Sequence, residues 1–288
     1  MKIKISSDST CDLSAELVER YDVHIVPLSV SKDGVFYRDG LEITPQDIFD
    51  HVSSGGGVCS TAAVNMDEYQ HIFEGLRRDN DAVIHFTISS ELSCCYQNAC
   101  LAAQEVPGVY VIDAENLSTG IGQLVLEASI MAREGAAPEE IVEKINTMKK
   151  KLDVSFVIDT LEYLYKGGRC SSLAALGANL LSLKPCIEVV DGKMRVGKKY
   201  RGSLENAWKN ISGSGWPTWI PWICIGFSSP IPIWIRPRWT ASRRWWKAVR
   251  PLKRSCRRRR AAPFPAIAAR TVSASCFSGN NLRIRSGR

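Results

Sequence analysis

A chain of 288 residues is long enough for two ordinary domains. Its charge is divided unevenly, because all 30 acidic residues lie at or before Glu205, whereas 17 of the 37 Lys and Arg residues lie from Lys209 onward. Residues 1–208 therefore carry a net charge of −10, and the remainder carries +17. All eight tryptophans lie at or beyond Trp208. Two unlike compositions are joined near that residue.

The N-terminus and the cysteines exclude several classes of protein. Polar residues from Ser6 to Thr10 interrupt the apolar start, so we expect no signal peptide and a cytoplasmic location. No stretch approaches the roughly 20 apolar residues of a membrane-spanning helix, so we expect no stable membrane insertion. The ten cysteines form no Cys-x-x-Cys pair joined to a second pair or a His pair. Reduced thiols are therefore expected, with no metal site and no cofactor.

The first part of the chain alternates between the strand period and the helix period. Strands are predicted over residues 2–7, 23–28, 35–37, 82–87 and 109–112, and helices over residues 13–21, from the cap Thr44-Pro45, 92–104, 117–133 and 138–151. This order is typical of a parallel sheet covered by helices on both faces.

A different pattern begins after residue 152. A strand is predicted over 154–158, a helix over 173–183, and two strands over 187–190 and 194–196. Asp191-Gly192 joins the last two strands, and this dipeptide suits the positive φ of a tight hairpin turn. The fold class is therefore α/β with two lobes. Residues 1–152 form the parallel lobe, and residues 153–209 begin an α+β lobe with a partly antiparallel sheet.

Four segments, in their order along the chain, resemble the DegV family of bacterial proteins. They are Ser-Asp-Ser-Thr-Cys-Asp-Leu (7–13), Ser-Thr-Ala-Ala-Val-Asn (60–65), Ser-Ser-Glu-Leu-Ser-Cys-Cys-Tyr-Gln-Asn-Ala (89–99) and Leu-Glu-Tyr-Leu-Tyr-Lys-Gly-Gly-Arg (161–169). Lys184-Pro185, Asp191-Gly192 and Arg201-Gly202 follow them. The resemblance covers residues 1–208.

The DegV resemblance implies a carrier that holds one long-chain fatty acid between its two lobes. It also implies that the bound acid is presented to a partner, the catalytic subunit of a fatty acid kinase. By residue match, Thr61 and Ser93 hold the carboxylate. The supporting residues are Asp8, Ser9, Cys94 and Arg169. Cys94 stands where the family usually has glycine, and Cys95 where it usually has threonine.

Each of these residues also has a purely structural interpretation. Thr61 would then cap a helix, and Ser93 would merely begin one. Asp8 and Ser9 would brace a loop through an Asx turn, and Arg169 would be a solvated turn residue.

A serine hydrolase or acyltransferase is the main alternative function, with Ser93 as nucleophile. It needs a general base, but none of His24, His51, His71 and His85 lies in a Gly-x-Ser-x-Gly setting. His85 lies in the middle of a predicted strand, which indicates a core residue. We therefore predict a protein without catalytic residues.

The segment 210–288 combines arginine runs with tryptophan and contains no acid. This composition is typical of a nucleic-acid-binding appendage, which is the third possible function. We favour a frameshift instead and expect no nucleic-acid partner. To test this idea, we assign permitted codons to the written residues and read them again in a shifted frame, in which each triplet takes the last base of one codon and the first two bases of the next. This shifted frame can yield two segments that resemble the DegV C-terminus. One corresponds to Trp216–Pro237, and the other contains His-Cys-Gly-Pro-Asn. The second lobe is therefore expected to be incomplete, with the switch near Lys209 or Asn210.

Overall fold

The computed structural model describes residues 1–157, 162–170, 183–202 and 233–237. The strands are β1 (Ile3–Asp8), β2 (His24–Val26), β3 (Ser29–Lys32), β4 (Val35–Arg38), β5 (Ser60–Ala62), β6 (Ala82–Thr87), β7 (Val109–Asp113), β8 (Leu152–Val157), β9 (Leu183–Val190), β10 (Lys193–Arg201) and β11 (Ile233–Pro237). The helices are α1 (Ala15–Tyr21), α2 (Pro45–Ser53), α3 (Met66–Arg78), α4 (Cys95–Glu105), α5 (Thr119–Arg133), α6 (Pro138–Lys149) and α7 (Glu162–Gly167).

The first sheet has the order β2-β1-β6-β7, and all of its strand pairs are parallel. Helices flank it: α4 contacts β6 and β7, while α5 contacts β1 and α6 contacts β7. Every residue of β6 is buried, as expected for a central parallel strand. The predicted α/β architecture is confirmed.

Local sequence signals explain where several helices begin. Thr44 and Asp47 form a capping box at the start of α2, with Pro45 as the first helical residue. Asn65 caps α3 by accepting the N–H of Glu68. The helix predicted over 13–21 begins only at Ala15, because the hydroxyl of Ser14 accepts the N–H of Leu17 as an N-cap.

A small antiparallel sheet of order β4-β3-β5 lies beside the first sheet. Of its strands, only β4 was predicted from the sequence. Strands β3 and β5 have four and three residues, which is too short for alternation to stand out. One face packs onto a satellite cluster of Val30, Ile43, Ile48 and Cys59.

The second sheet has the order β10-β9-β8-β11, and each of its pairs is antiparallel. The predicted hairpin is present: Asp191 and Gly192 both have positive φ, 49° and 77°, and join β9 to β10. The helix predicted over 173–183 lies outside the described residues, except that Leu183 begins β9. Strand β11 belongs to the segment 210–288, for which the sequence indicates a frameshift. It pairs with β8, so this segment supplies one strand to the sheet.

The hydrophobic core runs from the first sheet into the second. One cluster joins Ile84 of the first sheet and Leu124 of α5 to Phe156, Ile187 and Met194 of the second sheet. Among the described residues, no helix is long and apolar enough to cross a membrane.

Candidate ligand-binding site

Thr61 lies in β5, directly opposite Val30 of β3. Opposed residues of antiparallel strands direct their side chains to the same face. Thr61 therefore shares the face on which Val30 is fully buried, and is itself half-buried. The interpretation of Thr61 as a helix cap is wrong, because the residue belongs to a strand that ends before the cap Asn65.

Ser93 lies in the turn between β6 and α4 and is half-buried. Its hydroxyl donates to the sulfur of Cys95 at 3.2 Å and accepts the backbone N–H of the same residue at 3.3 Å. Ser93 is thus bonded to the first residue of α4, as the structural interpretation expects. Its one proton rests on sulfur, which is a weak acceptor. A carboxylate would compete for that proton at little cost.

The two segments that carry the predicted carboxylate ligands, β5 with its following loop for Thr61 and the β6–α4 loop for Ser93, are tied together; we call them the carboxylate loops. The side-chain amide of Asn98, on α4, donates to the carbonyl of Val64 at 2.8 Å. The Cys95 thiol also hydrogen-bonds the backbone of Val64. Val64 follows Thr61 by three residues, so these contacts fix the two predicted carboxylate loops to each other.

Asp8 ends β1 and is fully buried. Its carboxylate accepts the Tyr69 hydroxyl at 2.7 Å and the backbone N–H of Ile88 at 3.1 Å. The His85 Nε2 atom lies 3.3 Å from the same carboxylate but is not aligned for a hydrogen bond. These partners lie far along the chain, so the Asx-turn interpretation of Asp8 is wrong. The remote partners were not predicted.

Burial keeps two neighbours of Asp8 protonated. Desolvation, then the nearby Asp8 charge, raises the pKa of Tyr69 well above its usual value of 10.0. The same two causes, in the same order, raise the pKa of the Cys95 thiol to about 12. Both groups therefore remain neutral hydrogen-bond donors at physiological pH.

Two supporting residues have structural contacts. The Ser9 hydroxyl donates to Asp39 at 2.7 Å and accepts the N–H of Leu28 at 3.2 Å, so it braces the loop after β1. Burial raises the pKa of Asp39. Cys94 is exposed and precedes α4 as its N-cap, without a side-chain capping bond.

Arg169, which follows α7, contacts the loop that carries Ser93. Its Nε donates to the carbonyl of Leu92 at 3.4 Å, one residue from Ser93. The same loop also contacts the hairpin between β9 and β10, because the Ser89 hydroxyl donates to the carbonyl of Gly192 at 2.8 Å. The structure thus brings Arg169 and the hairpin turn to the loop that carries Ser93.

The match to known proteins follows the same part of the chain. The family model of DegV, described as a family of uncharacterised proteins, matches residues 2–213. The chain belongs to the DegV family. A DegV domain-containing protein of Caldanaerobacter subterraneus is 35% identical over 203 residues, which are 70% of this chain and 72% of that protein. A relative in Clostridium perfringens is 32% identical over 204 residues, 70% of this chain and 73% of its own.

Solved DegV structures share the fold. A fatty-acid-binding DegV protein from Thermus thermophilus is 33% identical, has a TM-score of 0.69, and matches 74% of this chain and 77% of its own. A stearic-acid-binding protein from Eubacterium ventriosum is 30% identical, with a TM-score of 0.65 over 74% of this chain and 78% of its own.

In this DegV protein, Ser6, His85 and Asp8 have the composition of a catalytic triad. The Ser6 hydroxyl lies 2.9 Å from His85 Nδ1. All three residues are fully buried in the first sheet, so no substrate meets them. His85 also packs edge-on against Tyr69 and Phe73, as predicted for a core residue. In the part of the chain that the structure describes, the bonds of His85 run to Ser6 and Asp8 within the first sheet.

A cavity of about 440 Å³ lies elsewhere, beside the second sheet. Charged groups from both lobes line it, among them Lys149, Lys198, Glu115 and Glu188. Neither Thr61 nor Ser93 is a lining residue. A cavity with this many charges suits polar ligands and not an alkyl chain, so the carboxylate loops define the candidate site better than the cavity does.

Proposed function

We propose that this DegV protein is a carrier that holds one long-chain fatty acid, with the carboxylate on the hydroxyls of Thr61 and Ser93. The observation that supports it best is the pair of bonds from Asn98 and Cys95 to Val64, which ties the two hydroxyl loops together. The fatty-acid-binding DegV relatives support the same ligand.

The residues suit a carboxylate that is held without reacting. Burying a carboxylate is costly unless donors meet it. Two hydroxyls supply such donors without a full counter-charge, and Arg169 adds a positive charge beside Leu92. The Ser93 hydroxyl is bonded to Cys95 and not to a histidine, so no general base activates it.

The alkyl tail supplies most of the affinity. At about 0.8 kcal/mol for each buried CH₂, a tail of roughly 14 methylenes contributes about 11 kcal/mol before the cost of association. That cost is about 4–15 kcal/mol. Selectivity therefore follows the fit of the tail, and a polar headgroup site of modest strength is sufficient.

The carrier proposal includes a partner, because a bound acid is useful only when it is delivered. The proposed partner is the catalytic subunit of a fatty acid kinase, to which the carboxylate is presented. The proposed location is the cytoplasm, where such a kinase finds its nucleotide.

The segment after Lys209 bears on this function. The family match ends at residue 213, close to the proposed frame switch and to the last acid, Glu205. We propose that the frame-restored chain, whose codons after Lys209 are read in the shifted frame, completes the second lobe. Sequencing the gene across these codons tests this directly. An in-frame read, together with tail peptides from the cellular protein, would refute it.

The carboxylate assignment is tested by displacement of a fluorescent fatty acid from the frame-restored chain. The double variant Thr61→Ala/Ser93→Ala should lose at least 30-fold in affinity for palmitate, because both carboxylate donors are gone. The double variant Ser90→Ala/Thr147→Ala is a matched control, since its two hydroxyls bond Asp113 and the carbonyl of Glu143. Unchanged affinity in the first double variant would refute the assignment.

A further inference from the structure

A continuous chain of polar groups runs from the centre of the first sheet to Ser93. Asp8 accepts the Tyr69 hydroxyl at 2.7 Å, Tyr69 shares a hydrogen bond with the Cys95 thiol, and Cys95 accepts the Ser93 hydroxyl at 3.2 Å. Asp8, Tyr69 and Cys95 are all fully buried. Only Ser93 approaches the surface.

The charge of Asp8 gives this chain a direction. A carboxylate accepts hydrogen bonds and does not donate, so the single Tyr69 proton points to Asp8. The Tyr69 oxygen is then free to accept the Cys95 thiol proton. The sulfur in turn accepts the proton of Ser93. Each donor is thereby assigned one acceptor, and the order ends at the buried charge.

We propose that Tyr69 is the positioning residue of the carboxylate site. It links buried Asp8 to Cys95, and so holds the start of α4 and the Ser93 hydroxyl in the place from which Ser93 donates to an incoming carboxylate. The inference deepens the proposed function and rests on it for the identity of the ligand.

Because Tyr69 is buried, water cannot take the place of its hydroxyl between Asp8 and Cys95. Tyr69 is fully buried and packs against Phe73 with ring centroids 5.6 Å apart. The aromatic contacts fix the ring, and only the hydroxyl is left to orient the next link. Tyr69→Phe keeps the ring and removes that link alone.

The test uses the full chain and hydrogen–deuterium exchange of the amides over residues 88–97. We expect Tyr69→Phe to speed exchange in this loop about 10-fold, because Cys95 and Ser93 lose their anchor. Tyr110→Phe is the matched control, since it removes a tyrosine hydroxyl that bonds a surface carboxylate, Glu139. It should leave the loop unchanged. Equal exchange in wild type and Tyr69→Phe would overturn the proposal.

A second variant protects the test against a loss of folding. Cys95→Ala cuts the same chain at its next link, so it should produce a similar increase, and the double variant should exceed neither single variant appreciably. If the exchange increases of the two single variants add up in the double variant, Tyr69 and Cys95 act independently and the proposed chain from Asp8 to Ser93 is wrong.

The ligand readout separates this inference from the carrier function. Measured in the frame-restored chain, the affinity for palmitate relative to its methyl ester should fall about 10-fold in Tyr69→Phe and stay constant in Tyr110→Phe. A simple loss of stability would weaken both ligands together, and this outcome would count against a positioning role. If the frame-restored chain without substitutions binds neither ligand, the carrier proposal fails, while the exchange measurement still decides the role of Tyr69.

Discussion

The two four-stranded sheets treat polar residues in opposite ways. The parallel sheet fully buries Ser6, Ser7, Asp8, His85 and Thr87. The antiparallel sheet instead carries an ion pair at its surface, between exposed Arg195 of β10 and half-buried Glu188 of β9, at 3.6 Å. A buried polar group must be satisfied inside the protein. The first sheet therefore fixes the geometry of its neighbouring loops through buried hydrogen bonds, whereas the second contributes apolar side chains to the core and keeps its ion pair at the surface.

The largest expected effect comes from removing the buried charge. Asp8→Ala leaves the Tyr69 hydroxyl and the N–H of Ile88 without their acceptor, so the free energy of unfolding should fall by about 3–5 kcal/mol. Arg195→Ala in the other sheet should lower it by less than about 1 kcal/mol, because exposed ion pairs are weak. Urea denaturation of both variants measures the contrast. Similar losses in the two variants would remove the distinction between the sheets.

The next effect is a pH dependence from Glu127, which is buried on α5 beneath the first sheet. Burial raises its pKa from 4.5 to about 7. The folded protein therefore binds more protons than the unfolded chain between these values, so stability is fully present below about pH 4.5 and declines as pH rises to about 7.

Glu127→Gln should remove about 2–3 kcal/mol of that decline, because the amide cannot ionise. Urea denaturation at pH 5 and pH 8 measures the slope in wild type and variant. Parallel pH profiles for wild type and Glu127→Gln would contradict the assignment.

The smallest effect concerns the contact between the two sheets. A Cβ atom added to Gly192 would lie 2.5 Å from the Ser89 hydroxyl oxygen, and Gly192 also has a positive φ of 77°. Gly34 has a similar φ of 81° with open space around it. Gly34→Ala should therefore show the backbone cost alone, about 1 kcal/mol, and Gly192→Ala about 1 kcal/mol more. Equal costs would show that the turn does not dock against Ser89.

The sequence predicted the elements with strong periodicity and not the contacts between them. β6 was predicted with the bounds that the structure has, because Ala82–Ile84 and Phe86 give an apolar, β-favouring sequence on both sides of His85. The short β3 and β5 lack enough residues for a period. The predicted ligands Thr61 and Ser93 rested on family resemblance, and their roles stay predictions.

The partners of Asp8 escaped prediction for a different reason. Tyr69 and Ile88 lie 61 and 80 residues away along the chain, and only the packing of α3 and β6 against β1 brings them together. Cys95 departs from the family pattern, but the sequence does not show its link to Tyr69. That link depends on α4 beginning at a fully buried residue, which places the Cys95 thiol in the core. The available signal was an aspartate at the end of a predicted strand, together with Tyr69 and Phe73 spaced four residues apart on one face of a helix.

The central claim is that the loops of Thr61 and Ser93 hold a fatty acid in a complete two-lobed protein. Native mass spectrometry of the purified frame-restored chain, beside the chain as written, tests it most directly. We predict about one fatty acid per frame-restored chain and little or none on the chain as written, whose second lobe differs after Lys209. A frame-restored chain that carries no fatty acid, and takes up none from added palmitate, would contradict the account.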